Sequence, residues 1–136
     1  MTKACRASDL HGHGFPNCFF MGFTQNGFTT SVPHTLNEQS KHTAYILRHV
    51  VDHGIRSFEA TQEAEDRWVG IIKSKAHLGA RFHAECTPGY YNNDGMGSND
   101  TGFLSGQYGD GPVAFFKVLD DWRAEGHLQG LALRAG

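Results

Sequence analysis

The loop that reads FTQNGFTTSVP, residues 23–33, carries residue types well suited to holding a polar ligand. It follows an apolar run and leads into an amphipathic segment, so the sequence predicts a strand, a loop and then a helix. Ligands in open α/β sheets bind where such loops leave the carboxyl ends of strands. A helix N-terminus also offers unpaired N–H groups and partial positive charge, which suit a phosphate, a carboxylate or an electron-rich ring edge. An ordinary connecting loop is the alternative interpretation.

Nine histidines raise the question of a metal site. His49 and His53 are four residues apart on a predicted helix, with His42 on the same face, and this spacing can bind zinc. That face also carries charged side chains, and the pair lacks the internal Glu of the H-E-x-x-H motif. The pattern therefore predicts a solvent-exposed helix face. His11 and His13 in the triplet HGH are predicted to belong to a flexible end.

A second glycine pattern, Gly109-Asp110-Gly111-Pro112-Val113-Ala114, formally matches the dinucleotide motif G-x-G-x-x-A. No apolar strand leads into it, and its proline removes an N–H from the place where phosphates would be held. The pattern therefore predicts a turn and the start of a helix. No G-x-S-x-G motif occurs, and the adjacent Asp120 and Asp121 are predicted to be solvated.

Length and charge restrict the class of protein. A chain of 136 residues allows one domain with a modest core. The net charge of -2 argues against nucleic acid as the main partner. No apolar run reaches the roughly 18 residues of a membrane span, and the first residues lack a signal-peptide pattern, so we expect a cytoplasmic protein. Cys5, Cys18 and Cys86 form no C-x-x-C pair, which indicates neither a disulfide framework nor a zinc ribbon.

Two elements must position the loop at residues 23–33. The uninterrupted apolar run Cys18–Phe23 predicts a parallel strand buried on both faces. Such a strand needs neighbours that the sequence does not obviously supply, so either a partner provides the sheet or the strand is exposed. The helix predicted from Pro33 to His53 ends at Gly54, and its predicted apolar face consists of Leu36, Thr43, Ala44, Leu47, Val50 and Val51.

The remaining pattern predicts helices and loops with little sheet. A short extended piece, IRSFEAT, precedes a helix over 62–77 that Thr61 caps. A long Gly- and Asn-rich loop follows at 85–102, and then a helix over 112–125. The segment LQGLAL predicts a final short strand, and residues 1–9 are expected to be disordered. The apolar side chains of the two later helices are Ala64, Trp68, Ile71, Ile72, Phe115, Phe116, Leu119 and Trp122.

Four segments extend from about residue 10 to the C-terminus: HGHGFPNCFFMGFTQNGFTTSVPHTLNEQSKHTAYIL, EATQEAEDRWV, AECTPGYYNNDG and YGDGPVAFFKVLDDWRAEGHLQGLAL. Together they resemble the C-terminal end of flavin-dependent Baeyer–Villiger monooxygenases, of the flavin-containing monooxygenase superfamily. The resemblance implies that residues 1–136 are a single partial domain. The implied fold class is an α/β fragment: one buried βα unit of an FAD-binding Rossmann-like domain, followed by helices and long Gly/Asn-rich loops.

Enzymes of this family bind FAD, reduce it with NADPH and oxygenate ketones to esters or lactones. The resemblance implies that the next helix points its N-terminus at the pyrimidine edge of the flavin, and that Thr87–Asn93 lie over the substrate and nicotinamide side. The cofactor contacts that it implies are Gln25, Asn26, Gly27, Phe28, Thr29 and Thr30.

Several family features are absent. The sequence contains neither a Rossmann fingerprint for FAD or NADPH nor an arginine that can be assigned the family's catalytic role, so no catalytic residue and no metal ligand is assigned. We therefore expect the isolated chain to be inactive and to bind neither cofactor tightly. A companion polypeptide carrying the missing N-terminal part, a truncated gene and a decayed gene all stay open. The alternative function is a non-catalytic interaction module or a histidine-rich metal-binding module.

Overall fold

The computed structural model describes residues 10–22, 25, 27, 29, 31–75, 87 and 108–136. This part of the chain contains three helices and two strands, which confirms a small α/β fold. No helix among the described residues is long and apolar enough to cross a bilayer. The predictions for residues 1–9, and for the Gly/Asn-rich loop apart from Thr87, lie outside the described residues. In chain order the elements are α1 Val32–Asp52, β1 Ile55–Ala60, α2 Gln62–Lys75, α3 Pro112–Glu125 and β2 Leu131–Ala135.

The helix bounds follow the local signals in the sequence. Helix α1 has Ser31 at its N-cap and a proline in its first turn, and it ends just before Gly54, whose φ is 61°. Helix α2 begins after Thr61, whose hydroxyl accepts a hydrogen bond from the Ala64 amide at 3.2 Å. Helix α3 ends at Gly126, which adopts the left-handed conformation with φ of 82°. These starts and stops confirm the predicted helices, and only the last residues predicted for α2, 76–77, lie outside the described part.

Two hydrophobic clusters hold these elements together. One lies between the sheet and the helices, and the apolar face predicted for α3 contributes Trp122 to it. The second joins α2 to α3, with the Trp68 and Tyr108 rings stacked at 5.9 Å between centroids. The buried members of the first cluster are Ile46, Phe58, Ala60, Ala64, Trp122, Leu128 and Leu131. Those of the second are Trp68, Ile72, Tyr108, Phe115 and Leu119.

Helix α1 buries a different face from the predicted one, so that prediction is wrong for most of its residues. Leu36, Leu47 and Val51, from the predicted core face, are 37%, 44% and 75% exposed. The predicted solvent face is buried only at Glu38 and His42, and its other charged residues are exposed as predicted. Periodicity cannot reveal the partners of buried polar side chains: the amide nitrogen of buried Gln39, for example, donates to the Gly22 carbonyl at 2.7 Å. The buried residues of α1 are Thr35, Glu38, Gln39, His42 and Ile46.

The predicted strand at Cys18–Phe23 is also wrong over its described residues, since 18–22 form no strand. Phe20 and Met21 are 48% and 47% exposed, which contradicts burial on both faces. A strand requires a ladder of backbone partners on a neighbouring strand. The Phe20 amide instead donates to the Leu10 carbonyl at 2.7 Å, which is a single contact and not a ladder.

Strands β1 and β2 form an antiparallel pair that the sequence pattern did not predict as a pair. Phe58 lies opposite Leu133, and Ala60 lies opposite Leu131. Both segments were predicted to be extended, and that part is confirmed. Their pairing joins residues more than 70 positions apart, so no local signal could have revealed it.

The outer edge of β1 is occupied at Phe58 by one residue, Asn17. The backbone amide of Asn17 donates to the Phe58 carbonyl at 2.9 Å, and the Phe58 amide donates to the side-chain oxygen Oδ1 of Asn17 at 3.1 Å. Asn17 Nδ2 also donates to the Arg56 carbonyl at 3.3 Å. Asn17 therefore imitates one residue of a neighbouring strand.

Replacing Asn17 with Ala should lower the free energy of unfolding by about 1–3 kcal/mol, because the amide of buried Phe58 loses its acceptor. Chemical denaturation followed by circular dichroism measures this change. The matched control Asn37→Ala removes an exposed asparagine of α1 and should change stability by less than about 0.5 kcal/mol. Equal effects of the two substitutions would contradict the role assigned to Asn17.

Candidate functional site

Gly27, in the middle of the predicted cofactor loop, is buried against the start of α3. A Cβ atom at this position would lie 2.7 Å from Phe115 Cβ and 2.8 Å from Pro112 Cα. Such distances are too short for carbon atoms in contact, so only glycine fits here. The close approach brings the loop directly against the first turn of α3.

Thr29, two residues further on, fixes the same loop to the start of α1. Its hydroxyl donates to the Ser31 carbonyl at 2.8 Å and accepts from the Ser31 amide at 3.0 Å. Thr29 Oγ1 also lies 3.4 Å from Thr35 Oγ1 in the first turn of α1. Gln25 has a positive φ of 58°, a conformation that side chains seldom adopt outside turns. Asn26, Phe28 and Thr30, the other predicted contacts, lie outside the described residues.

The loop therefore lies where two helices begin. The rings of His34 in α1 and Phe116 in α3 are 5.0 Å apart between centroids, which confirms that the two first turns are neighbours. Neither N-cap residue makes a side-chain hydrogen bond to its helix, and neither first turn contains an acidic residue. No carboxylate within either first turn therefore offsets the partial positive charges, and Asp110, just before the N-cap of α3, is paired with Lys75. Such an arrangement can bind an anion or the electron-rich edge of a ring.

The glycine pattern at residues 109–114 forms a turn and the start of α3, as predicted. Lys75 of α2 forms an ion pair with Asp110 in this turn. Asp120 and Asp121 are exposed and paired with Arg123 and Lys117, which is consistent with the predicted solvated face.

His42, on the inner side of α1, forms a cluster with His11 and Arg123 that the sequence did not indicate. His42 is fully buried with its ring 4.8 Å from that of Trp122. Burial is the largest cause that lowers its pKa to about 3, and the charge of Arg123 and the proximity of the His11 ring add to the effect. Burial likewise lowers the pKa of His11 to about 4, although its hydrogen bond to the Cys18 carbonyl at 3.2 Å acts in the opposite direction. Both histidines are therefore neutral at pH 7.

The prediction of a flexible end at His11 and His13 is wrong. His11 is 3% exposed and packs against Phe19, with 4.6 Å between ring centroids. The His13 amide donates to a carboxylate oxygen of Glu65 at 2.6 Å, and its ring nitrogen lies 3.1 Å from the Ala60 carbonyl. These contacts could not be predicted from the sequence, because the segment is polar without periodicity and its partners are about 50 residues away.

The histidines of α1 do not act as a set. His42 is buried, whereas His49 and His53 lie toward the surface with stacked rings 4.0 Å apart. His53 Nδ1 is bonded to the His49 carbonyl at 2.8 Å, which leaves one ring nitrogen of His53 for any ligand. Among the described residues, no three His, Cys, Asp or Glu side chains form a group suited to a metal ion. Within the described part of the chain, the metal-binding alternative therefore depends on this pair.

No family model matches the chain. Comparison with individual proteins instead finds flavin-dependent monooxygenases. Over 133 residues the chain is 42% identical to neopentalenolactone D synthase of Streptomyces avermitilis, which covers 96% of this chain and 22% of that protein. It is 38% identical over 129 residues to a Baeyer–Villiger monooxygenase of Streptomyces coelicolor, covering 93% and 21% of the two.

The fold comparison leads to the same class. A polycyclic ketone monooxygenase from Thermothelomyces thermophila matches with a TM-score of 0.78 and 26% identity, over 93% of this chain and 20% of that one. The chain is therefore a relative of flavin-dependent Baeyer–Villiger monooxygenases, which confirms the resemblance of the four segments. It spans about a fifth of the length of the curated relatives that it matches.

The cofactors implied by the resemblance are those of the family. An FAD-binding monooxygenase of Hypomyces subiculosus is 34% identical over 122 residues, covering 90% of this chain and 20% of that protein. A cyclohexanone monooxygenase from Rhodococcus sp. Phi1, solved with NADP+ bound, shares the fold with a TM-score of 0.73 at 22% identity, over 93% of this chain and 23% of that one. FAD and NADPH are thus confirmed as cofactors of the parent family.

Replacing Gly27 with Ala should destabilise the chain by about 1–3 kcal/mol, because the added methyl group overlaps Phe115 and Pro112. The control Gly70→Ala lies in α2, where a Cβ meets nothing within 4 Å, and should stabilise by about 0.5–1 kcal/mol. Denaturant titrations of both variants measure the difference. A stabilising Gly27→Ala substitution would contradict the packing described here.

The stability of the chain should fall below pH 6.5. Unfolding exposes His11 and His42, which then bind protons near the ordinary pKa of 6.5, whereas the folded chain binds them only near pH 4 and 3. Each buried histidine therefore contributes a loss of up to about 1.4 kcal/mol per pH unit as the pH falls. Denaturant titrations between pH 8 and pH 4 measure this slope.

The variant His42→Leu should flatten the pH dependence, since one of the two buried histidines is gone. The control His127→Leu removes an exposed histidine and should leave the slope as it is. If His42→Leu retains the full slope, the burial of His42 does not control the acid sensitivity.

Proposed function

We propose that this chain forms the part of an FAD- and NADPH-dependent Baeyer–Villiger monooxygenase that lies beside the flavin. The observation that carries the proposal is the meeting of two helix N-termini at the loop Gln25–Thr30. The enzyme would oxygenate a ketone to an ester or lactone, which agrees with the ketones in the names of the two solved relatives. Both the reaction and the substrate class belong to the whole enzyme, of which this chain spans about a fifth.

The residues of the loop suit a flavin edge. Electron density accumulates at the pyrimidine end of a flavin on reduction, and a helix N-terminus stabilises nearby negative charge by about 0.3–1 kcal/mol. Two such termini act together here, and no acidic side chain in either first turn opposes them. Gly27 lets the loop pack directly against the start of α3, where a side chain would intrude. When bound, FAD supplies the oxygenation chemistry, and the chain orients it and excludes water.

The arginines of the chain support the expectation that the chain alone is inactive. Four of its arginines are held in ion pairs with carboxylates, and these are Arg48, Arg67, Arg123 and Arg134. Arg123 is only 15% exposed and contacts both Asp120 and Glu38. In this structure each of these guanidinium groups is bound to a carboxylate of the chain itself. The missing phosphate-binding loops and catalytic arginine would come from the remainder of the enzyme, as a companion polypeptide or in a continuous chain.

Two further expectations accompany this proposal. The cytoplasmic location stays a prediction from the sequence, as does the placement of Thr87–Asn93 over the substrate and nicotinamide side. Of this last segment only Thr87 lies among the described residues, and it is exposed.

The isolated chain should neither retain FAD through gel filtration nor oxidise NADPH in response to cyclohexanone. Absorbance at 450 nm reports bound flavin, and absorbance at 340 nm reports NADPH. A chimera in which this chain replaces the aligned fifth of neopentalenolactone D synthase should retain FAD. In that chimera Gly27→Ala should reduce flavin occupancy several-fold, whereas Gly70→Ala should not.

Ketone-dependent NADPH oxidation by the isolated chain would overturn its proposed dependence on the remainder of the enzyme. A folded chimera that never holds flavin would overturn the placement of the chain beside the cofactor.

A further inference from the structure

Helix α1 carries an exposed apolar stripe, defined here as Val32, Leu36, Leu47 and Val51. These side chains are 41%, 37%, 44% and 75% exposed. At 3.6 residues per turn they fall within one sector of the helix, and the stripe is about 28 Å long. Between them in the same sector lie only small or β-branched uncharged residues: Ser40, Thr43, Ala44 and Val50. The stripe therefore contains no charged side chain along its whole length.

The opposite side of α1 is already in use within the chain. His42 and Ile46 are fully buried there, against Trp122 and the rest of the first cluster. A helix on the surface of a soluble protein normally turns a charged face toward water. Helix α1 has such a face, on which Lys41, Arg48 and Asp52 are exposed, but the stripe is a further exposed sector that carries no charge. A contiguous exposed apolar surface of this kind marks an interaction site.

A second exposed apolar segment lies beside the stripe. The Gln39 side chain donates to the Gly22 carbonyl at 2.7 Å and accepts from the Gly22 amide at 3.2 Å, which holds Met21 and Gly22 alongside α1. Met21 and Phe20 are each nearly half exposed. Phe20 and Met21 therefore add to the exposed apolar surface beside the stripe.

We propose that the α1 stripe, together with Phe20 and Met21, is the docking surface for the sheet-bearing, flavin-binding remainder of a Baeyer–Villiger monooxygenase. This inference rests on the proposed function. About four fifths of each curated relative lies outside the region that this chain matches, so an enzyme of this family has a large body for such a surface to meet. Helices cover parallel sheets through uncharged apolar faces, and the stripe is one.

The test places a charge on the stripe in two settings. Leu47→Asp and Val51→Asp should leave the melting temperature of the isolated chain nearly unchanged, because both side chains are exposed there. In the chimera with neopentalenolactone D synthase, the same substitutions should reduce the yield of soluble, folded protein about tenfold, since the carboxylate would be buried without a partner. The matched control Arg48→Ser alters an exposed residue between them. It should change neither the melting temperature of the isolated chain nor the yield of the folded chimera.

The outcomes separate the docking surface from the proposed function. If the chimera folds without flavin and Leu47→Asp still abolishes its folding, the surface stands and the function fails. If the chimera holds flavin and tolerates both aspartates, the surface is refuted while the function stands. An unsubstituted chimera that does not fold also counts against the surface. If the isolated chain is a dimer on gel filtration that Leu47→Asp returns to monomer, the stripe binds a second copy and the proposal is overturned.

Discussion

The burial of Trp122 is the interaction on which the arrangement of the chain depends. Its indole nitrogen donates to the Gln129 carbonyl at 2.9 Å, which ties the end of α3 to the turn before β2. Its ring lies 4.8 Å from that of His42 and 6.2 Å from that of Tyr45, which brings α1 against α3. A buried tryptophan contributes more contact area than any other side chain, so few alternatives compete with this packing. One residue thus connects two helices and the sheet.

The orientation of α1 follows from that contact. Because Trp122 packs against His42, that side of the helix turns inward and Leu47 and Val51 turn outward. The inward histidine has to be neutral, so we expect the chain to be sensitive to acid. The outward leucine and valine are exposed in the structure. The expected acid sensitivity and the proposed docking surface therefore have one origin.

Local signals in the sequence were enough to predict where helices begin and end. Gly54 and Gly126 stop their helices through left-handed backbone, and Thr61 caps α2 with its hydroxyl, all within a few residues of the element concerned. The inward face of α1 was predicted wrongly because it depends on Trp122, about 80 residues away. The strand at Cys18–Phe23 was predicted wrongly because apolar composition indicates burial in a sheet, and the described chain provides no strand beside it.

The candidate site also could be predicted from the sequence only in part. The loop Gln25–Thr30 could be proposed from its position between an apolar run and a helix, and from its resemblance to a flavin-binding family. The sequence alone could not predict that residue 27 must be glycine. The atoms that exclude a side chain at Gly27 belong to Pro112 and Phe115, more than 80 residues later. Sequence pattern thus located the loop, and only the fold shows that a second helix begins against it.

Asn17 limits where another strand can join the sheet. Its backbone N–H binds the C=O of Phe58 and its side-chain oxygen accepts from the N–H of Phe58, so a further strand cannot pair with β1 at that residue. Assembly through this edge of β1, with a second copy or with another sheet, would first have to displace Asn17.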